Sequence, residues 1–177
     1  MRRVVLFHML SLDGVAEEPS DWQFDGEELF DIVGQVIETQ DTILLGRGTF
    51  DYWSGFWPND GPEPFHSFIN NTPKHVFTST PLDADWAKTV VVNGPAADHV
   101  RELKEQTGGE IGIHGSIELA RSLIDAGLVD DYRLIVAPTL ARHGKRLFEG
   151  EAELRRLDLA GLDRTDSGTL LLHYRNR

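Results

Sequence analysis

Short apolar runs that stop at a glycine turn, separated by amphipathic stretches, constrain this chain more than any other feature. Val4–Leu10 is apolar on both faces apart from His8 and closes at Ser11-Leu12-Asp13-Gly14. Thr42–Gly46 is equally apolar and runs straight into Arg47-Gly48-Thr49-Phe50, a helix start. A strand that is apolar on both faces needs cover on both faces, which is the condition of a parallel sheet flanked by helices. Glu27–Thr39 supplies one helix, with Leu29, Phe30, Val33, Val36 and Ile37 at helical spacing. His75–Thr78, Thr89–Val92, Glu110–His114 and Tyr132–Ala137 read as further strands, and 96–107 and 116–127 as further helices.

Residues 53–66 hold Trp53, Phe56, Trp57 and Phe65 among prolines and glycines, and are expected to form an aromatic loop. Residues 153–163 and 169–175 read as an antiparallel pair around Asp166-Ser167-Gly168, a hairpin turn signal. The expected fold is α/β over one domain, 1–177. It has a single mixed, mostly parallel sheet flanked by helices, with a C-terminal antiparallel hairpin.

Composition removes several kinds of chemistry. The chain has no cysteine, so disulfides, zinc–cysteine sites, iron–sulfur clusters and thiol nucleophiles are excluded together. The seven histidines form no HExxH motif or close carboxylate cluster, so no metal is expected. A net charge of −12 repels phosphate backbones, so no nucleic-acid partner is expected. No apolar stretch reaches the length of a membrane span, and the start of the chain lacks a signal cleavage site. The expected location is the cytoplasm, with no membrane partner.

Two strand-to-helix junctions carry the functional argument. Between Arg3 and Lys74, Arg47 is the only base among 13 acids. A lone guanidinium on glycine-flanked backbone at a helix start suits a phosphate, and it equally suits a neighbouring carboxylate. The second junction is His114-Gly115-Ser116-Ile117, where Gly115 permits close approach and Ser116 can cap the helix or donate to an oxygen. Both follow strands whose carboxyl ends would host ligands. Two such starts on one sheet suggest a dinucleotide, yet GxGxxG is absent. Asp13 is a carboxylate at a strand end, Glu28 with Glu27 and Asp31 begins a helix, and Trp22 can stack on a heterocycle or cover the core.

These motifs, taken in order, resemble the dihydrofolate reductase-like superfamily. The closest resemblance is to the free-standing reductase domain of the bifunctional riboflavin-biosynthesis deaminase-reductase. Leu44–Phe50, Phe56-Trp57-Pro58, Thr72-Pro73-Lys74, Thr78-Ser79-Thr80, His114-Gly115-Ser116, 126–133, 144–148 and Leu171–Tyr174 carry the likeness. It implies NADPH as cofactor. Gly46, Arg47 and Thr49 match the segment holding the adenosine phosphates. Thr78 and Ser79 match the segment beside the adenine ribose, and His114, Gly115, Ser116 and Ile117 the segment cradling the pyrophosphate. Asp13 and Trp22 fall on the substrate-side loop. Asp13 and Glu28 are the candidate proton donors, and the substrate implied is a small pterin- or pyrimidine-like heterocycle, as for 5-amino-6-(5-phosphoribosylamino)uracil reductase. True dihydrofolate reductase activity and a non-catalytic nucleotide-binding role are the alternatives. The chain departs from the riboflavin enzyme after Thr49, where Phe50-Asp51-Tyr52-Trp53-Ser54 stands in place of Asp-Asp-Pro. The exposed apolar surface expected of the hairpin and the aromatic loop predicts a homodimer.

Overall fold

A computed structural model describes residues 1–22, 27–150 and 153–177. Phe24 lies outside the described residues, as does the side chain of Glu27.

The strands are β1 (Val4–Ser11), β2 (Gln40–Gly46), β3 (Lys74–Phe77), β4 (Thr89–Val92), β5 (Glu110–Ile113), β6 (Asp131–Ala137), β7 (Leu157–Arg164) and β8 (Leu170–Asn176). The helices are α1 (Glu27–Ile37), α2 (Arg47–Ser54), α3 (Phe65–Asn71), α4 (Ala96–Glu105) and α5 (Ile117–Asp125). One sheet of order β4-β3-β2-β5-β1-β6-β8-β7 results, mixed and mostly parallel as the sequence implied. β4, β3, β2, β5, β1 and β6 are parallel, and β8 and β7 close the sheet antiparallel. The carboxyl ends of all six parallel strands therefore lie along one edge.

Burial follows the double-sided apolar pattern. On one face Val4, Leu6, Leu44, Ile111 and Ile113 meet Val100 and Leu103 of α4 and Leu119, Ala120 and Leu123 of α5. On the other, Phe7, Ile43, Leu45 and Val76 meet Leu29, Ile32, Val33 and Val36 of α1 and Phe65 and Ile69 of α3. Removal of this much apolar surface from water is the main force holding the layers together.

The aromatic segment is a correction. Trp53 and Ser54 end α2, and Phe65 begins α3, so 53–66 is not one loop. Its rings pack edge to face, Trp57 on Phe65 at 4.8 Å and Trp53 on Phe65 at 5.7 Å, and they cover the core. The final hairpin turns where expected: Thr165 N–H donates to the Thr169 carbonyl at 2.9 Å, and Gly168 takes a φ of +92° that glycine favours. Its first strand begins at Leu157, four residues later than the hydrophobic pattern suggests.

Candidate active site

β2 and β5 are direct neighbours, with Leu44 opposite Ile113, so their outgoing turns meet. Gly46 N–H donates to the Gly115 carbonyl at 2.9 Å. A Cβ on Gly46 would overlap the Ser116 hydroxyl, and one on Gly115 would lie 2.7 Å from Thr49 Oγ1. Gly115 has a φ of +144°, and the Gly115–Ser116 peptide is cis. Gly46, Thr49, Gly115 and Ser116 thus form one tight ledge at the carboxyl edge of the sheet.

Two helices start from this ledge. Ser116 caps α5, its Oγ accepting from Leu119 N–H at 3.4 Å. α2 starts at Gly46 without a side-chain cap, so no side chain occupies its first-turn amides from the capping position. A Cβ on Gly48 would meet nothing within 4 Å, so the backbone here is open to a ligand. Ile117 turns partly inward, onto the core under α5.

The guanidinium of Arg47 is engaged by the chain itself. Nε donates to both carboxylate oxygens of Asp51 at 2.7 Å. The terminal nitrogens reach Thr80 Oγ1 at 2.7 Å, the Pro81 carbonyl at 2.7 Å and Asp83 at 3.2 Å. The carboxylate partner open to it from sequence is present as Asp51. These contacts draw the segment after β3 against α2. Thr78 Oγ1 in that segment accepts from Thr80 N–H at 3.1 Å, and Ser79 is exposed beside it.

His114 departs from its expected place. Its imidazole is buried, with Nε2 2.7 Å from Gln40 Oε1 and the ring against Phe7, Phe65 and Phe68. Gln40 donates its amide to the Val36 carbonyl at 3.1 Å, so its oxygen faces the ring and His114 is the Nε2–H donor. Gly112 leaves room for this bond, since a Cβ there would collide with both partners. Burial pushes the His114 pKa down to about 3, so the ring is neutral. The side chain belongs to the core; only the backbone of His114 reaches the ledge.

Asp13 sits beyond β1 and is fully engaged. It accepts from Ser11 Oγ at 2.7 Å, from Ala141 N–H at 3.0 Å and from Arg142 N–H at 2.9 Å. The Ser11 hydroxyl, joined by the Arg142 and Ala141 amides, holds the Asp13 carboxyl below its ordinary range, which disfavours proton donation. Its loop is knitted to the one after β6: Leu12 N–H donates to the Thr139 carbonyl at 2.8 Å and Ala16 N–H to the Lys145 carbonyl at 2.9 Å. Trp22 spends its indole N–H on the Glu17 carbonyl at 2.9 Å. Glu28 is exposed on α1 and accepts from Asp166 N–H at 3.0 Å, tying the β7–β8 turn to the helix. Asp13 and Glu28 are therefore held apart by different partners and form no carboxylate pair. Gln40 and Asp83 leave no local signal in the sequence that would mark them as partners of His114 and Arg47. Asp51 does carry one, because position i+4 on a helix faces position i.

The family model of the RibD C-terminal domain matches residues 2–171. The Bacillus subtilis protein YyaP is 29% identical over 182 residues, spanning 98% of this chain and 94% of YyaP. A solved structure of a putative riboflavin biosynthesis protein from Shewanella sp. PV-4 superposes with a TM-score of 0.79 at 19% identity, covering 99% of each chain. Dihydrofolate reductase from Enterococcus faecalis, complexed with NADP(H), gives 0.67 at 17% identity, covering 99% of this chain and 96% of that one. Among the described residues no helix is long and apolar enough to cross a membrane, and no group of three or more metal-ligating side chains gathers.

Proposed function

The chain belongs to the RibD C-terminal domain family, of dihydrofolate reductase-like fold, and on that premise we propose that it is a cytosolic NADPH-dependent reductase of a small pterin- or pyrimidine-like heterocycle. The observation that carries this reading is the ledge of Gly46, Thr49, Gly115 and Ser116 between two helix starts on one sheet edge. The residues fit a nicotinamide dinucleotide: open amides at α2, a serine hydroxyl at α5 and a guanidinium between α2 and the segment after β3 suit several phosphate oxygens. When bound, that cofactor would supply the hydride; the protein's part is orientation and exclusion of water.

In this reading Gly46 and Gly115 keep side chains out of the turn, Ser116 donates its hydroxyl, and Arg47 offers its guanidinium once its carboxylate partners yield. Asp13 keeps its proton off at neutral pH and fixes the loop over the substrate side, so the proton that accompanies hydride comes from Glu28 or from water rather than from Asp13.

The test is loss of reduced nicotinamide absorbance with a panel containing dihydrofolate, pterins and the aminouracil of riboflavin synthesis. Oxidation stoichiometric with one aminouracil supports the reading. Turnover of dihydrofolate alone would make the chain a true dihydrofolate reductase. Tight NADPH binding with no turnover across the panel would favour a nucleotide-binding role.

A further inference from the structure

Arg47 stands between two carboxylates with one charge to share. Asp51 holds Nε through both oxygens at 2.7 Å, and Asp83 holds a terminal nitrogen at 3.2 Å. The Asp51 side chain is 46% exposed and that of Asp83 94%, so neither is fixed there by burial. Among the described residues Arg47 is the one cation that pairs with either acid. With two acids and one base the cluster has a net charge of −1. The Thr80 hydroxyl and the Pro81 carbonyl, both at 2.7 Å, complete the ring of acceptors around the guanidinium. An anion that reaches Arg47 therefore meets a guanidinium already satisfied and two negative neighbours.

We propose that Asp51 and Asp83 are specificity-determining residues: they compete internally for Arg47 and set how strongly this chain prefers a nicotinamide dinucleotide bearing an extra phosphate over one lacking it. This rests on the nicotinamide reading above. NADH carries no 2′-phosphate and has nothing to gain from a freed guanidinium. NADPH gains the charge-assisted bond only after the carboxylates give way, and it is then repelled by them. Exposed ion pairs are weak and screened by salt, so the acids can be displaced, but each reduces the advantage of the added phosphate. Asp51 has the larger effect because it binds through two oxygens and rides on the same helix.

The experiment is titration calorimetry with NADPH and with NADH at low salt, on the wild-type chain, Asp51→Asn, Asp83→Asn and the double variant. Asp158→Asn is the control, since Asp158 pairs with Arg177 on the β7–β8 hairpin. The substitutions are isosteric and at exposed carboxylates, so the fold is not at stake. The ratio of NADPH to NADH affinity should rise about fivefold in Asp51→Asn and about twofold in Asp83→Asn, with NADH affinity unchanged within about twofold. The gain should shrink in high salt, and Asp158→Asn should leave the ratio alone. If the wild type binds both cofactors and neither aspartate variant moves the ratio, or if both affinities rise equally, the inference falls while the nicotinamide reading stands. If no variant binds either cofactor, both fall.

Discussion

The Gly46 amide reaches the Gly115 carbonyl across 2.9 Å, so two turns 69 residues apart in sequence share one hydrogen bond at the sheet edge. Each turn also fills space the other leaves open. Ser116 packs where a Gly46 side chain would go, and Thr49 where a Gly115 side chain would go. The ledge is therefore a packed unit before any ligand arrives, and its substitutions should behave as coupled.

Gly46→Ala should lower stability by about 1–3 kcal/mol, because its Cβ would overlap Ser116 Oγ and come within 3.2 Å of the Ser116 amide nitrogen. Adding Ser116→Gly removes the side-chain part of that overlap. The double variant should then be less destabilised than the sum of the single changes, as read by urea unfolding. Strict additivity would show that the two residues do not press on each other.

Gly115→Val should reduce stability and cofactor affinity together. Its φ of +144° strains a β-branched residue by roughly 1–3 kcal/mol, and Thr49 lies in the way. Ser116→Ala is the cleaner probe. The cap it removes is long, at 3.4 Å, so stability should fall by less than about 1 kcal/mol. Loss of a hydroxyl donor to a phosphate should weaken NADPH about tenfold. Unchanged NADPH affinity in Ser116→Ala, measured beside the thermal midpoint, would remove the serine from the cofactor site.

Much of this fold was legible because its strands are apolar on both faces and its helices on one, and both patterns survive packing. β1, β2, β5 and β6 and the hairpin turn follow from them directly. α3 was hidden: it spans seven residues after Pro64, too short for a period to emerge from an aromatic-rich stretch. At the site, glycine and serine at strand ends were readable because backbone geometry demands them there. The direction of a side chain was not. His114 occupies the motif but turns inward to Gln40, 74 residues away, and Asp13 is held by amides 128 and 129 residues away. Such partners are fixed by tertiary packing and leave no local pattern.

The chain should form a homodimer through its C-terminal hairpin. Leu159 and Leu162 are each 57% exposed. A register shift between Leu159 and Gly161 sets the two leucines opposite Tyr174 and Leu172, two residues apart in β8 and so on one face. Light scattering at micromolar concentration should give twice the 19.9 kDa chain mass, and Leu159→Glu with Leu162→Glu should halve it. A wild-type monomer would refute the arrangement.

Acid should destabilise the fold below about pH 6.5. Burial pushes His8 down to about 4 and His114 down to about 3, while in the unfolded chain both titrate near 6.5. Between these values the unfolded state binds more protons, so stability is fully present above pH 6.5 and is lost as pH falls through the window. At 1.36 kcal/mol per unit, each ring accounts for roughly 3 kcal/mol or somewhat more by pH 4, before relaxation reduces it. Urea unfolding at pH 7 and at pH 5 should show the loss, and His114→Gln should flatten the slope. A pH-independent midpoint across this range would mean the rings are not buried neutral.

Lys74 makes the opposite edge of the pH profile unusual. Its side chain is fully buried and its Nζ donates to the Ile69 carbonyl at 2.8 Å and the Thr72 carbonyl at 3.1 Å, closing the end of α3. The ammonium also lies 4.7 Å from the Trp86 ring, and no carboxylate pairs with it among the described residues. Burial, with a smaller push from Lys88, lowers its pKa to about 8 from an ordinary 10.5. Between pH 8 and 10.5 the unfolded chain holds the proton and the folded chain has released it. Stability from this group must then rise with pH through that window, by up to about 3 kcal/mol, where most proteins gain nothing. Lys74→Met removes the titration but leaves two helix-end carbonyls without their donor, so it should be less stable at neutral pH and should lose the alkaline rise. Denaturant midpoints at pH 7.5 and pH 10 for both chains decide the matter. A wild-type midpoint that does not rise relative to the Met variant would show that Lys74 keeps its proton, and that the carbonyls and the indole compensate fully for its lost hydration.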